Sequence, residues 1–151
     1  MEPAPKTSVL FQVNANQVKA SQLDRRALRQ FAGMLTREFG NGRSFCCLIT
    51  DDAELRRLNR EFRNKDQATD VLSFPSDHSL GDIAISLDRA REQASALRHS
   101  TDQELQILML HGLLHLTGLD HEKDRGEMAA VEQRWRKHFG LPAGLIERVS
   151  Q

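Results

Sequence analysis

The chain has 151 residues, of which 28% are charged and 39% hydrophobic, and its 21 basic side chains are balanced by 21 acidic ones. This composition is typical of a folded globular protein and excludes a disordered chain, and the length predicts a single domain over residues 1–151. No apolar run approaches the ~20 residues that a membrane span needs, so we expect no membrane partner. The zero net charge neither favours nor excludes a nucleic-acid partner.

The first third of the chain alternates short apolar runs with one long amphipathic segment. Residues 9–13 predict an edge strand, and residues 21–24 resemble a capping box at the start of a helix. Apolar side chains then recur at helical spacing until the glycine-rich residues 40–42. The run at residues 44–50 is rich in apolar residues and predicts a strand.

A second helix and a hairpin are predicted next. Residues 51–54 carry the acidic cap of the helix, which is expected to turn three apolar side chains inward: Leu55, Leu58 and Phe62. Residues 70–75 read as a short strand that ends in proline, and residues 81–86 alternate as its hairpin partner.

The remainder of the chain is predicted to be helical. A third helix covers residues 87–97, a capping box at residues 101–104 opens a fourth, and Asp124 with Glu127 caps a last helix that ends near Phe139. Together these elements predict an α+β fold, in which a small mixed sheet of about four strands packs against about five helices.

Two adjacent cysteines, Cys46 and Cys47, lie in the strand predicted at residues 44–50. Neighbouring side chains of a strand point to opposite faces, so we do not expect a disulfide between them. The start of the chain lacks a basic segment followed by an apolar one, so no secretory signal is expected. Free thiols without a signal indicate a cytoplasmic protein.

Three histidines form the most informative pattern of the chain. His111 and His115 are four residues apart, so a helix would place both on one face. Gly118 can end that helix and return the chain, which would bring His121 to the same point. Three imidazole ligands leave a fourth tetrahedral position open, which is typical of a catalytic zinc site, although nickel, cobalt or manganese could replace zinc.

The spacing of these histidines matches that of the metzincin metalloproteases, and Gly118 falls at the glycine of their motif. The glutamate that follows the first histidine in those peptidases, and acts as their general base, is replaced here by Gly112. Glycine cannot carry a proton, so this replacement argues against ordinary peptide hydrolysis. Metal-assisted hydrolysis in which another group handles the proton remains consistent with the motif.

Arg63, between the second helix and the strand at residues 70–75, is a candidate phosphate-binding residue. A guanidinium can hold two phosphate oxygens and stabilise the charge that develops on them. From spacing alone, an ion pair of Arg63 with Asp66 or Asp70 in a loop is the favoured explanation, and the arginine-rich segments around it can equally be solvated surface.

Three blocks of sequence together resemble the YbeY family of bacterial endoribonucleases. They are Leu58-Asn-Arg-Glu-Phe-Arg63 leading into Thr69-Asp-Val-Leu-Ser-Phe-Pro75, then Gly81-Asp-Ile83, and finally His111-Gly-Leu-Leu-His-Leu-Thr-Gly-Leu-Asp-His121. In that family, too, glycine replaces the protease glutamate. Tyrosine is frequent in the family at the positions of Phe62 and Leu119, so any contribution of its hydroxyl is absent here.

The resemblance implies a single-strand-specific endoribonuclease that matures the 3′ end of the small-subunit ribosomal RNA and supports ribosome quality control. It implies one Zn²⁺ on His111, His115 and His121, and Arg63 as a catalytic residue. The expected partners are ribosomal RNA and ribosomal subunits or ribosome-associated proteins, not DNA. The nucleophile stays open between a metal-activated water and the RNA's 2′-hydroxyl. Asp120 is either an acceptor for a ligand or an ordinary ion pair or cap.

Two other functions are compatible with the residues. A metallohydrolase or metallopeptidase of metzincin-like geometry would use the same three histidines, although Gly112 counts against it. A non-catalytic ribosome-assembly factor would use the metal only to brace its fold.

Overall fold

The computed structural model describes residues 6–13 and 23–149, and within these ranges it contains four strands and six helices. The strands are β1 (Ser8–Phe11), β2 (Phe45–Thr50), β3 (Val71–Pro75) and β4 (Gly81–Ser86). The helices are α1 (Arg25–Phe39), α2 (Asp52–Arg63), α3 (Leu87–Leu97), α4 (Thr101–Leu116), α5 (Glu127–His138) and α6 (Leu145–Val149). The predicted α+β class is confirmed, and α6 is a short helix that the sequence analysis did not predict.

The sheet is mixed, with the strand order β1-β2-β4-β3. The strands β1, β2 and β4 run parallel to one another, whereas β3 pairs with β4 in the antiparallel direction. The edge position predicted for β1 and the hairpin predicted for β3 and β4 are therefore both confirmed.

Helices cover both faces of this sheet. On β4, Ile83 and Ile85 belong to the main core together with α1 and α4, while Ala84 points the other way and packs against Leu55 of α2. This division follows from the pleat, which sends successive side chains to opposite faces. The arrangement places the C-terminal end of α2 and the buried helix α4 on either side of β3.

Helix α4 lies at the centre of the core, and most of its side chains are buried. Its N-terminal cap is one residue earlier than predicted, because Ser100 accepts from the backbone N–H of Gln103 and the Gln103 side chain accepts from that of Ser100. Glu104, the last residue of the predicted capping box, is buried. None of the helices in the described ranges is both long and apolar enough to cross a bilayer.

The inward direction predicted for Phe62 is wrong. Leu55 is fully buried, but Phe62, near the C-terminal end of α2, is 63% exposed. Its ring makes a T-shaped contact with Phe74 of β3, at 5.7 Å between centroids. The helix ends at Arg63, and the next residue, Asn64, is its C-cap in a left-handed conformation.

The start of α5 also differs from the prediction. Its N-cap is Gly126, which has a φ of 101°, and no side chain caps it from that position. Asp124 lies two residues earlier and accepts from the backbone N–H groups of Gly126 and Met128. Asp124 therefore satisfies the helix terminus as expected, although from outside the helix.

The capping box predicted at residues 21–24 lies partly outside the described residues. Among the described residues, Asp24 caps α1.

Both cysteines are free, as predicted from their adjacent positions in β2. Cys47 is fully buried in the main core, and burial raises the pKa of its thiol far above the ordinary range. Cys46 faces the opposite side of the sheet and is only half-buried.

Candidate metal centre

The three histidines singled out in the sequence come together at the C-terminal end of α4. His111 and His115 lie one turn apart on the helix, with 4.9 Å between their ring centroids. Helix α4 ends at Leu116, and Gly118, with a φ of 101°, reverses the chain. The following loop brings the ring of His121 to 5.4 Å from each of the other two.

The ring nitrogens of this trio are close enough to share one ion. One nitrogen from each of His111, His115 and His121 lies within 4.8 Å of the others, and no other such group occurs in the part of the chain that the structure describes. His111 is buried, His115 half-buried and His121 exposed. Two rings of the trio are thus fixed by a core helix, while the third is on a surface loop.

The electrostatic surroundings of His115 favour the form of its ring that binds a cation. Burial lowers the pKa of His115 below its ordinary value, and the neighbouring rings of His111 and His121 lower it further. A lowered pKa favours the neutral imidazole near pH 7, which is the form that ligates metals.

A buried carboxylate that sequence reasoning missed supports the first histidine. The Nδ1 atom of His111 lies 2.6 Å from Oε2 of Glu132 on α5, and both side chains are buried. The signal was present in the sequence, because Glu132 occupies the apolar stripe of α5 between Met128 and Trp135, where a charge is unexpected. Its partner, 21 positions away, could not be identified from spacing.

A cavity of about 310 Å³ opens beside the trio. It lies between the end of α4 and strand β3, and its lining joins Arg63 to His111 and His115. The structure thus brings the candidate phosphate-binding residue to the candidate metal ligands, although they are distant in sequence.

Arg63 is held at this cavity by the sheet rather than by an acidic partner. Its guanidinium donates to the backbone carbonyl of Ser73 and lies 5.6 Å from the centre of the Phe74 ring. The alternative partners are engaged elsewhere: Asp66 binds Arg56 at 2.9 Å, and Asp70 accepts from a glutamine side chain. The surface ion pair that competed with the phosphate-binding role is therefore not formed.

Gly112 shows why this helix cannot carry the protease glutamate. The residue faces the sheet, and a Cβ placed on it would lie 2.9 Å from Cγ2 of Ile83 and 3.2 Å from Oγ of Ser73. A side chain at this position would therefore collide with side chains of β3 and β4. The glycine allows the helix to approach β3 and β4 closely.

Asp120 has a local structural role. One of its carboxylate oxygens accepts from the backbone N–H of Glu122 at 3.0 Å, and the other lies 4.0 Å from the Lys123 ammonium. Its charge raises the pKa of His115 and so partly opposes the effect of burial. The loop between α4 and α5 is therefore shaped in part by Asp120.

The remaining histidines lie elsewhere. His99 pairs with the buried Glu104 at 2.7 Å, and His138 packs against Trp135. His78 is exposed in the β3–β4 turn.

The donor set fits a divalent transition metal. Three imidazoles converge, one of them has a carboxylate at its second nitrogen, and two of them line the cavity. Imidazole ligands and a carboxylate behind one of them are the usual surroundings of zinc in proteins. The residues would hold the ion through His111, His115 and His121.

The fold and this trio define a class: a mixed α+β domain with three clustered imidazoles, two of which share a cavity with an arginine. Comparison with known proteins gives the family. The model of the family described as "Endoribonuclease YbeY" matches residues 11–140, and the chain belongs to that family.

Individual relatives agree with this assignment. A protein of Solibacter usitatus named "Endoribonuclease YbeY" is 62% identical over 128 residues, which cover 84% of this chain and 87% of the relative. One of the same name from Sulfurovum sp. is 43% identical over 136 residues, covering 83% and 89% of the two chains. The solution structure of TM1509 from Thermotoga maritima shares the fold, with a TM-score of 0.60 at 22% identity over 90% of each chain.

Proposed function

We propose that this protein is a metal-dependent endoribonuclease specific for single-stranded RNA. The observation that carries the proposal is the shared cavity, which Arg63 lines together with two of the three clustered histidines. Membership of the YbeY family supports RNA as the substrate. The expected setting is cytoplasmic, where the enzyme would mature the 3′ end of small-subunit ribosomal RNA and take part in ribosome quality control.

The metal in this proposal is one Zn²⁺ on His111, His115 and His121. When bound, such an ion polarises phosphate oxygens and water, which eases attack on the phosphodiester. The protein's part is to fix the three imidazoles: α4 sets two of them, and the turn at Gly118 sets the third. The low pKa of His115 keeps that ring neutral and available as a ligand at neutral pH.

Arg63 would bind the phosphate that is cleaved. Its guanidinium is oriented by the Ser73 carbonyl and by the Phe74 ring, so little conformational freedom is left to lose when RNA binds. A fixed positive charge beside the phosphate stabilises the additional negative charge of the transition state. We assign the nucleophile neither to water nor to the 2′-hydroxyl.

Zero net charge bears on how the RNA is held. Several arginines near Arg63 on α2 are already paired with acids, including Arg57 with Glu54 and Glu61. Unaided affinity for RNA should therefore be weak and dependent on salt. Partners among ribosomal subunits or ribosome-associated proteins would supply the missing affinity.

The metallopeptidase alternative has less support. The position that would carry its general base is Gly112, which faces the sheet with no room for a side chain. The alternative of a non-catalytic assembly factor leaves the placement of Arg63 at the cavity without a purpose.

The test uses purified protein, a labelled RNA oligonucleotide and the same oligonucleotide annealed to its complement. We expect cleavage of the single strand and not of the duplex, loss of cleavage with a chelator, and recovery when zinc is restored. A peptide substrate in parallel should stay intact. A protein that binds zinc but never cleaves RNA would contradict the proposal, and the His115→Ala variant controls for contaminating nucleases.

A further inference from the structure

We propose that Glu132 is a positioning residue for His111, and that residues 144–146 hold Glu132 in the required orientation. This inference rests on the metal centre of the proposed function and extends it. It makes residues 144–146, which include none of the three proposed histidine ligands, a determinant of metal affinity.

The Glu132 carboxylate determines which ring nitrogen of His111 carries the proton. Its Nδ1 lies 2.6 Å from Glu132 Oε2, and the two residues are 4% and 0% exposed. A carboxylate buried this deeply requires hydrogen-bond donors, so Nδ1 carries the proton and donates it. Nε2 is then the nitrogen left with a lone pair for the metal. The carboxylate also makes that imidazole a more basic ligand.

The other carboxylate oxygen of Glu132 also has a hydrogen-bond donor. Oε1 of Glu132 accepts from the backbone N–H of Ile146 at 2.8 Å. Two donors from different elements, the His111 ring and the Ile146 backbone, therefore converge on the two oxygens of one side chain. Only a carboxylate offers an acceptor to both, because an amide presents one oxygen and one N–H₂ group.

Gly144 lies directly against the Glu132 carboxylate. A Cβ built on this residue would overlap Oε1 of Glu132 and lie 2.8 Å from the carboxylate carbon. The backbone at residue 144 thus approaches the carboxylate so closely that only glycine fits without displacing it. The close approach of Gly144 and the hydrogen bond from Ile146 together favour the orientation of Glu132 that meets His111.

A second buried pair provides a matched control. Glu104 is also fully buried, its Oε1 lies 2.7 Å from a histidine nitrogen, that of His99, and it also contacts α6, through Arg148 at 3.0 Å. The two glutamates share depth, partner type and contact with the same C-terminal helix. They differ in that His99 does not belong to the trio.

The experiment compares the wild-type protein with Glu132→Gln, Gly144→Ala and Glu104→Gln. Zinc affinity is measured by competition with a chromophoric chelator, and ¹⁵N shifts of the metal-free protein report which His111 nitrogen carries the proton. We expect Glu132→Gln to lower zinc affinity about 10- to 100-fold. Gly144→Ala should lower it in the same direction, and both should disturb the Nδ1–H form of His111. Glu104→Gln should lower the melting temperature and leave zinc affinity unchanged.

The outcomes separate this inference from the proposed function. Wild-type zinc affinity in Glu132→Gln, or an equal loss of affinity in Glu104→Gln, would overturn the positioning role, because the effect would then be absent or merely one of stability. Failure of the wild-type protein to bind zinc would instead overturn the metal centre itself. If Glu132→Gln does not fold, Gly144→Ala carries the test, since it keeps the carboxylate and changes only its position.

Discussion

The hydroxyl of Ser73 donates to the backbone carbonyl of Gly112 at 2.9 Å, and so ties the turn of α4 that carries the first histidine to strand β3. Ser73 also provides the carbonyl that accepts from Arg63. One residue of the sheet therefore contacts both the histidine helix and the arginine. The relative position of the two halves of the site depends on this strand.

The close packing at Gly112 predicts that even a methyl group is costly there. In Gly112→Ala, the new Cβ would lie 2.9 Å from Cγ2 of Ile83, and overpacking of this kind costs about 1–3 kcal/mol, against about 1 kcal/mol gained in helix propensity. We expect a lower free energy of unfolding in urea. The control is Gly33→Ala on α1, where the nearest atom is 3.8 Å away and the change should be neutral or stabilising. Equal stability of both variants would contradict the tight contact.

Removal of the arginine should separate catalysis from metal binding. Arg63→Ala is expected to lower the rate of RNA cleavage by about 10²–10³-fold, as the loss of a group that stabilises transition-state charge typically does. Bound zinc should not change, because Arg63 contacts the sheet and none of the histidines. Arg60→Ala on the same helix, whose side chain is 62% exposed, is the control and should retain activity. Normal cleavage by Arg63→Ala would remove this residue from the mechanism.

Replacement of His115 should abolish both zinc binding and RNA cleavage. His115→Ala leaves two imidazoles, so we expect neither stoichiometric zinc nor cleavage. The melting temperature of the wild-type protein should rise with added zinc, since ligand binding stabilises the folded state, and this rise should vanish in the variant. His78→Ala removes an exposed histidine of the β3–β4 turn and should behave as the wild type does. Retention of tightly bound zinc by His115→Ala would argue against the trio.

The pair between Arg136 and Glu147 predicts a pH-dependent contribution to stability. Two hydrogen bonds of 2.8 Å from Arg136 hold the pKa of Glu147 below its ordinary value of 4.5. A carboxyl whose pKa is lowered in the folded state stabilises it above the unfolded pKa, and this contribution is lost as the pH falls through the folded value. Glu147→Gln should therefore reduce the free energy of unfolding at pH 7 by about 1–2 kcal/mol.

The same comparison at low pH provides the check. Below the lowered pKa of Glu147 the wild-type protein and Glu147→Gln should converge in stability, as measured by urea unfolding with chelator present. Glu61→Gln, at a pair whose acidic partner is 54% exposed, should have a small effect throughout. A Glu147→Gln deficit that persists unchanged under acid conditions would show that the loss is not electrostatic.

Much of the fold follows from the sequence because its signals are local. Apolar periodicity and the glycine-rich residues 40–42 predicted α1, and the bounds of α3 are those predicted, Leu87–Leu97. The hairpin of β3 and β4 likewise follows from two short apolar runs in succession. The strand order β1-β2-β4-β3 was beyond this reasoning, since local patterns do not say which parallel strands become neighbours.

The errors arise where tertiary contacts override a local pattern. Phe62 has the spacing of a core residue, but α2 ends at the rim of the sheet, where its ring stays exposed among the described residues. Thr101 and Glu104 have the spacing of a capping box, but Glu104 is drawn inward by His99 and Arg148. The position of Asp124 before α5 was foreseen, whereas its distance from the N-cap was not.

Part of the candidate site could also be predicted, because its signal is local in the sequence. The trio of histidines is a short motif with one glycine turn, and the structure brings its rings together as that spacing predicts. The approach of Arg63 to the cavity came from the family resemblance, because it depends on how α2 and β3 lie across the sheet. Glu132 was missed because an amphipathic helix with one misplaced acid does not reveal what that acid faces.

The graded burial of the three imidazoles means that they would not act as equals when an ion is exchanged. His111 is enclosed by the core and His121 stands in solvent, so solvent reaches the three coordination positions to different degrees. Chelators would compete first for the coordination bond to His121, since the loop can release that ring without opening the core. The rate at which the metal leaves should therefore be set by its bonds to His111 and His115. Metal exchange would then be slow even though His121 faces the solvent.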